Sequence, residues 1–409
     1  MNRCWLAALA ALLLAGCQHD EAPATPGIDA ARRQISIGLL NDESGPVASI
    51  GRPWAVGKRI LARQINAGGS GLLPAGWSVA LVERDHAYDV ERAAQQFDEL
   101  RDQVLFLGHS FGTPATLALR TRLQAARMVA YPASLASRMA ESTWTPPLGP
   151  SSRLEAMRAM DWAVSSARRA AAVRGAIVYQ QDDYGTDARD GWVLAARAHG
   201  VTLVGAHPYT PERPEFALPV GALRAAGATH VFLATVPSAT GPILGAAAQA
   251  GFKPVWIGSS PSWTDRFFDS TVIAPELFAN FYWVTAFAVW GENVPFMKSF
   301  LNAYDRYGRE LVPPDQNVLW SYAQGLTAIE VARRMIESGA LTREGYLKAL
   351  QGLKHYDIQG ALAEPMDYSR LPYVAGTQTR IMAPDFARGG WRAVAPYARP
   401  RALATSPAP

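Results

Sequence analysis

Strand and helix patterns alternate along most of this chain, and the alternation is made twice. In the first series, apolar strand patterns lie at 34–40, 77–83, 104–107 and 128–131. Amphipathic helix patterns lie between strands at 54–66 and 90–100. A proline-rich stretch at 145–150 interrupts the series, which restarts with a helix pattern at 152–168 and a strand pattern at 175–179. Repeated βα units fold into parallel sheets covered by helices. The chain therefore predicts two α/β lobes of similar size.

The strand pattern at 104–107 leads into a turn rich in Gly, Ser and Thr. Thr113 followed by Pro114 is typical of an N-cap and a first helical residue, which predicts a helix over 115–127. Ligands of open α/β sheets bind beyond the carboxyl ends of the strands, where the first amides of the following helices are unpaired. We therefore expect this turn to hold a ligand.

The same turn has a catalytic interpretation, because residues 108–112 match the G-x-S-x-G motif of α/β-hydrolases. Ser110 would be the nucleophile, and Asp315 and His355 follow in the correct chain order for an acid and a base. However, no His-Gly-Gly motif precedes the turn, and Pro114 stands where the nucleophile helix should already be running. Binding without catalysis is the favoured interpretation, and a serine hydrolase is an alternative.

The N-terminus predicts export. Arg3 precedes an apolar stretch over 5–14, which is too short to cross a bilayer and is typical of a signal peptide. The sequence Leu-Ala-Gly-Cys that follows at 14–17 resembles a bacterial lipobox. We expect a signal peptide at 1–16, cleavage before Cys17, and a lipid on that thiol.

Segments without periodicity flank the folded part. Residues 17–33 are predicted to be a flexible tether, and residues 399–409 a disordered tail. By resemblance to lipoprotein sorting, Gln18 after the cysteine favours the outer membrane over the inner one, so we expect a periplasmic protein anchored to a membrane. Cys4 would leave with the signal peptide, so the mature chain could form no internal disulfide.

Composition excludes other classes. The chain has 409 residues, of which 49% are hydrophobic, and its net charge of +4 comes from scattered arginines rather than a basic run, which argues against nucleic-acid binding. The seven histidines include no pair at metal-ligand spacing. We expect no metal, no cofactor and no nucleic-acid partner.

A set of short motifs, in this order and spacing, resembles the type I periplasmic solute-binding proteins, in the branch of the leucine/isoleucine/valine-binding components of ABC transporters. The motifs are Ser44-Gly45-Pro46, Ile65-Asn66-Ala67-Gly68-Gly69, Gly108-His109-Ser110, Tyr131-Pro132-Ala133, Asp183-Tyr184-Gly185, Leu233-Ala234-Thr235, Ser321-Tyr322-Ala323 and Gly389-Gly390-Trp391. The resemblance implies two Rossmann-like lobes with parallel sheets, three crossings between them, a cleft that closes on a ligand, no catalysis, and a membrane permease as partner.

Together, pattern and resemblance place the lobes along the chain. We expect the first lobe to comprise 34–148 and 286–354, and the second to comprise 149–285 and 355–398. We also expect a monomer. A ligand-sensing receptor component with the same fold is the alternative to a component of an uptake system.

The resemblance also implies a set of ligand-binding residues, which lie in turns after strands and at the start of the first helix. They are Ile50, Trp54, Ser110, Phe111, Gly112, Thr113, Ala133, Ser134, Leu135, Tyr184, Thr235, Ser259 and Ser260.

The chain departs from the family pattern where the ligand would bind. Amino-acid binders carry an acidic residue after the strand that matches 255–258, and this chain has Ser259, Ser260 and Pro261 there. Leu135 replaces a small hydroxyl residue and Ile50 an aromatic one. We therefore expect an amino-acid-like ligand or, in preference, a less polar compound, aromatic or carboxylated. Three acids could supply a charge from elsewhere in the chain: Glu43, Asp183 and Asp265.

Overall fold

The computed structural model describes residues 25–403, which form two α/β lobes. The predicted signal peptide at 1–16, the predicted lipidation site Cys17 and Gln18 lie outside the described residues, as does the end of the predicted tail at 404–409.

The first lobe is built on a five-stranded sheet. Its strands are β1 (Ile28–Asp29), β2 (Gln34–Asn41), β3 (Ser78–Asp85), β4 (Phe106–Phe111) and β5 (Ala130–Ala133). Strand β2 pairs in parallel with both β3 and β4, and β4 pairs in parallel with β5. Strand β4 is fully buried, as expected for a central parallel strand covered on both faces.

Helices from two distant parts of the chain belong to this lobe. They are α1 (Ala48–Asn66), α2 (Val90–Leu100), α3 (Thr113–Ala118), α4 (Arg120–Ala125), α9 (Pro295–Tyr307), α10 (Gln316–Glu337) and α11 (Arg343–Gln351). Helices α1 and α10 pack closely because glycine stands at their crossing: a Cβ on Gly57 would lie 2.5 Å from the carbonyl oxygen of Val318.

The second lobe is built on a seven-stranded sheet with the order β12-β11-β10-β9-β8-β6-β7. Its strands are β6 (Arg174–Gln180), β7 (Thr202–Tyr209), β8 (His230–Ala234), β9 (Val255–Gly258), β10 (Phe281–Thr285), β11 (Thr379–Asp385) and β12 (Gly390–Ala398). Pairing is parallel from β7 to β10 and antiparallel at β11 and β12. The helices of this lobe are α5 (Ser152–Ser166), α6 (Asp183–His199), α7 (Ala217–Ala225) and α8 (Pro237–Gln249).

The chain crosses between the sheets three times, at 134–151, 286–294 and 352–378. Aromatic rings join the lobes where the second crossing begins. Trp283 of β10 stacks on Trp320 of α10 with ring centroids 5.7 Å apart, and Phe287 stacks on the same Trp320 ring at 4.6 Å. The predicted fold class, two lobes with parallel sheets and three crossings, is confirmed.

Some predicted boundaries differ from the structure. The predicted tether extends over 17–33, but Ile28–Asp29 pairs with the start of β2. The predicted disordered tail extends over 399–409, but Arg401–Leu403 is a short helix with Ala402 buried. The single helix over 115–127 is instead α3 and α4, and the N-cap of α3 is Gly112 because the Thr113 hydroxyl is hydrogen bonded to Ser134.

Candidate functional site

A cavity of about 690 Å³, its open mouth included, lies between the lobes. Its wall combines turns after the strands with the starts of α1 and α10. The lining residues are Val47, Ile50, Trp54, Tyr88, Phe111, Gly112, Thr113, Pro132, Ala133, Ser134, Leu135, Leu148, Gln180, Tyr184, Val236, Pro261, Phe287, Asn317 and Trp320. Parallel strands end at this edge of each sheet, so the position follows the general rule for ligand sites of α/β folds.

The wall is mostly apolar and carries no formal charge: within residues 25–403, no Asp, Glu, Lys, Arg or His lines the cavity. Several polar side chains of the wall are hydrogen bonded to other protein groups. The hydroxyls of Thr113 and Ser134 lie 2.6 Å apart, and the hydroxyl of Tyr184 lies 2.6 Å from that of Ser259. Asn317 donates from its side-chain amide to Asp315 over 2.8 Å. The wall therefore offers a ligand chiefly apolar contact.

Most of the predicted ligand-binding residues line this cavity. They are Ile50, Trp54, Phe111, Gly112, Thr113, Ala133, Ser134, Leu135 and Tyr184. Gly112 has a φ of +86°, and a Cβ there would lie 2.8 Å from the ring of Tyr88, so the close approach of the turn to that ring requires glycine. Contact of these residues with a ligand stays a prediction.

Four predicted ligand-binding residues do not line this cavity and lie behind its wall. The Ser110 hydroxyl bonds to Thr116 at 2.8 Å, and the Thr235 hydroxyl bonds to Thr240 at 2.7 Å. Ser259 holds the Tyr184 hydroxyl. The remaining one is Ser260, whose amide and hydroxyl both donate to Glu155. All four are fully buried. Ser110 lies within β4, Thr235 and Ser259 directly follow β8 and β9, and Ser260 begins a short 3-10 helix.

The structure adds lining residues that sequence reasoning missed. They are Val47, Tyr88, Pro132, Leu148, Gln180, Val236, Pro261, Phe287, Asn317 and Trp320. Pro132, Gln180, Val236 and Pro261 lie at or just beyond strand ends, so the strand-end rule could have found them. Trp320 could not be found in this way, because it lies within α10 and reaches the site only through the packing of distant helices.

The hydrolase interpretation is wrong. Ser110 lies inside β4, not on an exposed turn, and its hydroxyl bonds to Thr116. Asp315 accepts hydrogen bonds from Thr264 and Asn317, and His355 is exposed. No nucleophile–base contact joins these groups.

The acids that could have supplied a charge are engaged elsewhere. Glu43 pairs with Arg59 at 2.8 Å, and Asp183 pairs with Arg138 at the surface. Asp265 accepts from the indole of Trp263 over 2.9 Å, and its burial and the neighbouring Asp315 raise its pKa to about 7. None of the three lines the cavity.

Comparison with protein families decides the classification. A family model described as periplasmic binding protein matches residues 34–370, most of the chain. The chain belongs to the periplasmic binding protein family. As a member, it is a periplasmic binding protein, a class that captures small ligands outside the cytoplasm. The predicted resemblance to this family is confirmed.

Solved structures of the same fold include binding proteins for different solutes. A fatty acid ABC transporter substrate-binding protein from Thermomonospora curvata is similar with a TM-score of 0.87 at 22% identity, over 96% of this chain and 98% of that one. A branched chain amino acid ABC transporter protein from Thermus thermophilus, with bound valine, has a TM-score of 0.80 at 19% identity, over 91% and 98%. A solute-binding protein from R. palustris in complex with 4-hydroxybenzoate has a TM-score of 0.74 at 16% identity, over 90% and 98%.

At these identities the solved structures establish the fold and not the ligand. A comparison with curated proteins found no match. In the part of this binding protein that the structure describes, no helix is long and apolar enough to cross a membrane. The same residues contain no cluster of three or more His, Cys, Asp or Glu side chains that could hold a metal ion.

A hydrogen-bond network joins the lobes at the cavity. The Tyr88 hydroxyl donates to Asp182 over 3.1 Å and accepts from the Gln180 side-chain amide over 2.9 Å. Asp182 is also the N-cap of α6, where it accepts from the amide of Gly185. Burial raises the pKa of both the Tyr88 hydroxyl and the Asp182 carboxyl. Tyr88 belongs to the first lobe and Asp182 to the second, so the network links the two lobes at the cavity.

A buried carboxyl supports the wall from behind. Glu155 of α5 is fully buried and accepts from the amide of Ser260 over 3.0 Å, next to the lining residue Pro261. Burial raises the pKa of Glu155 to about 8, although its hydrogen bonds with Ser260 act in the opposite direction.

Glu155→Gln is expected to flatten the pH dependence of stability. In the folded protein Glu155 keeps its proton up to about pH 8, whereas its ordinary value is 4.5, so unfolding releases a proton between these values. The stability of the wild type therefore falls as pH rises through that window, by an amount equivalent to a few degrees of melting temperature. Melting temperatures at pH 5, 6.5 and 8 would measure the slope. The exposed control Glu141→Gln should keep the wild-type slope, and an unchanged slope in Glu155→Gln would contradict the assignment.

Tyr88→Phe is expected to weaken closure. The variant keeps the ring against Gly112 and removes the hydrogen bond to Asp182; bonds to charged groups contribute roughly 1.5–3 kcal/mol. The population of open molecules should rise, which would increase the radius of gyration in small-angle X-ray scattering. Tyr282→Phe, on β10 away from the cavity, is the matched control. Equal radii for the wild type and both variants would show that this bond does not hold the lobes together.

Proposed function

We propose that this chain is a lipid-anchored solute-binding protein of an ABC-type uptake system, and that its cleft binds a compound less polar than an α-amino acid. The observation that carries the proposal is the absence of any charged side chain from the cavity wall within residues 25–403. Binding is reversible and involves no bond cleavage, since Ser110 is buried and hydrogen bonded to Thr116.

Desolvation disfavours a zwitterionic ligand in this cleft. An ammonium group that enters an apolar cavity loses its hydration, and it recovers that free energy only by binding to an anion or to several acceptors. A carboxylate partner would contribute a charge-assisted bond of roughly 1.5–3 kcal/mol. The residues where such an acid was expected are Ser259 and Ser260, and both are occupied by protein contacts behind the wall.

Two structural relatives support a less polar ligand. The protein from Thermomonospora curvata is described as a fatty acid transporter component, and the R. palustris protein holds 4-hydroxybenzoate. The relative with bound valine represents the alternative, an amino-acid ligand. An apolar or aromatic body would fit the wall formed by Ile50, Leu135, Leu148 and Phe287.

The binding protein is proposed to be held at a membrane by a lipid on Cys17, with Gln18 favouring the outer membrane. Labelling of growing cells with an alkyne-bearing fatty acid tests this anchor. The wild-type chain should take up the label and sediment with membranes, whereas Cys17→Ser should do neither. Label on the serine variant, or an unlabelled wild type, would contradict the anchor.

Isothermal titration calorimetry with leucine, valine, benzoate and medium-chain carboxylates tests the ligand class. We expect at least one of the aromatic or aliphatic carboxylates to bind at least 10-fold tighter than either amino acid, about 1.4 kcal/mol. Ser110→Ala should bind it equally well, and a fluorophosphonate probe should label neither protein. Tight binding of leucine or valine would overturn the proposed ligand class.

The uptake role is favoured over sensing because the structural relatives are described as ABC transporter components. Loss of uptake of the bound compound on deletion of the gene would support it. Normal uptake with loss of a transcriptional or motile response to the compound would support a sensing receptor instead.

A further inference from the structure

Two hydrogen-bond donors in the cavity wall have no acceptor. Trp54 of α1 and Trp320 of α10 both line the cavity, and they are only 8% and 4% exposed. The indole N–H of each is buried and forms no hydrogen bond with the protein. Buried donors nearly always have partners, because an unpaired one keeps the full desolvation cost. These two N–H groups therefore suit a ligand that brings an acceptor.

The two tryptophans lie on helices that pack against each other, α1 and α10. The hydroxyl of Ser321, the residue after Trp320, donates to the backbone carbonyl of Trp54. The ring of Trp320 is stacked between Trp283 and Phe287, which fixes its orientation. The donors are thus placed before a ligand arrives, and binding need not order them.

A buried amine stands behind Trp54. Lys58 is 4% exposed, and its ammonium donates to the carbonyl and hydroxyl of Ser321 over 2.6 and 3.1 Å and to the Gln324 side-chain oxygen over 3.1 Å. All three acceptors are uncharged, and no carboxylate of residues 25–403 forms an ion pair with it. Burial lowers the pKa of this amine well below its usual value.

The Lys58 amine is close enough to the cavity to interact electrostatically with a bound ligand. The Lys58 nitrogen lies 5.9 Å from the centre of the ring of Trp54, which lines the cavity. Charges interact more strongly in a partly buried site than in water, because the effective dielectric constant is lower. An anion at the Trp54 side of the cavity would therefore stabilise the charged form of Lys58.

We propose that the ligand is a monocarboxylate with an apolar body, and that its carboxylate accepts hydrogen bonds from the indole N–H groups of Trp54 and Trp320, near the buried amine of Lys58. This inference rests on the proposed function. A neutral amide or alcohol could satisfy the two donors but would leave Lys58 without an anion. A zwitterion would satisfy Lys58 but would bring an ammonium for which the wall has no carboxylate.

Matched pairs of ligands that differ only in charge test the inference. Octanoate with octanamide and benzoate with benzamide would be titrated into the purified full-length protein by calorimetry. In the pair whose apolar body fits, the acid should bind at least 10-fold tighter than the amide. Trp54→Phe and Trp320→Phe keep the aromatic ring and remove the N–H group. Each variant should bind the acid about 10-fold more weakly than the wild type does. Lys58→Met should reduce the difference between the affinities for the acid and for the amide.

The chain offers a matched control in Trp192. Its indole N–H is likewise buried without a partner, but it lies on α6 in the core of the second lobe, stacked on Phe232 and outside the cavity wall. Trp192→Phe should leave the affinity for both members of each pair unchanged. Melting temperatures of all variants would verify that each one is folded.

The outcomes separate the two proposals. If the amides bind as tightly as the acids, the monocarboxylate inference fails while the proposed function stands. The inference also fails if the tryptophan and lysine variants keep the full preference for the acid. A variant that weakens acid and amide equally has lost cavity shape rather than a carboxylate contact, and this result counts against the inference. If no member of either pair binds, both proposals fail.

Discussion

Satisfaction of buried polar groups is the constraint on which the site depends. Behind the cavity wall, the hydroxyls of Ser110, Thr235 and Ser260 are each bound by a neighbour, and the Glu155 carboxyl is held in the core by Ser260. Each of these groups is hydrogen bonded to a neighbouring protein group, so it neither faces the cleft nor requires water. The surface that remains to contact a ligand is mostly apolar. Among the described residues that line the cavity, Trp54 and Trp320 differ in having buried indole N–H groups with no acceptor in the protein.

The two lobes meet through contacts of different kinds. The stack of Trp283, Trp320 and Phe287 lies where the second crossing leaves β10, and it joins the lobes through apolar surface that opening would expose. The bond from Tyr88 to Asp182 lies at the cavity and exchanges readily with water bonds when the lobes part. A ligand between them shifts the equilibrium only by its preference for the closed form. Because Tyr88 and Gln180 both line the cavity and form the interlobe network, ligand shape and closure are coupled there.

Local pattern predicted much of the architecture. The alternation of strands and helices and the break at 145–150 led to two α/β lobes, since periodicity and turn residues are local properties. The turn after β4 was also located, together with most of the residues that line it. The sequence predicts Thr113 as the N-cap of α3, whereas the N-cap is Gly112. The Thr113 hydroxyl binds Ser134 instead, a contact made between two separate turns.

The parts of the site that could not be predicted depend on distant packing. Trp320 and Asn317 reach the cavity only because α10 returns to pack against α1, which nothing near them in the chain indicates. Ser259 and Ser260 have hydroxyl groups that could bind a ligand. Only the positions of Tyr184 and Glu155 show that these hydroxyls are hydrogen bonded to protein groups instead. The G-x-S-x-G match failed for a similar reason, because a five-residue pattern does not specify whether its serine lies on a turn or inside a strand.

The central claim is that an uncharged cleft holds a small, non-zwitterionic ligand without reacting with it. Native mass spectrometry of the protein purified from the organism that expresses it, followed by release and identification of the bound molecule, tests this claim most directly. The account predicts a molecule that leaves intact on denaturation and that has a predominantly apolar or aromatic body. An α-amino acid in the cleft, or a covalent adduct on Ser110, would contradict it.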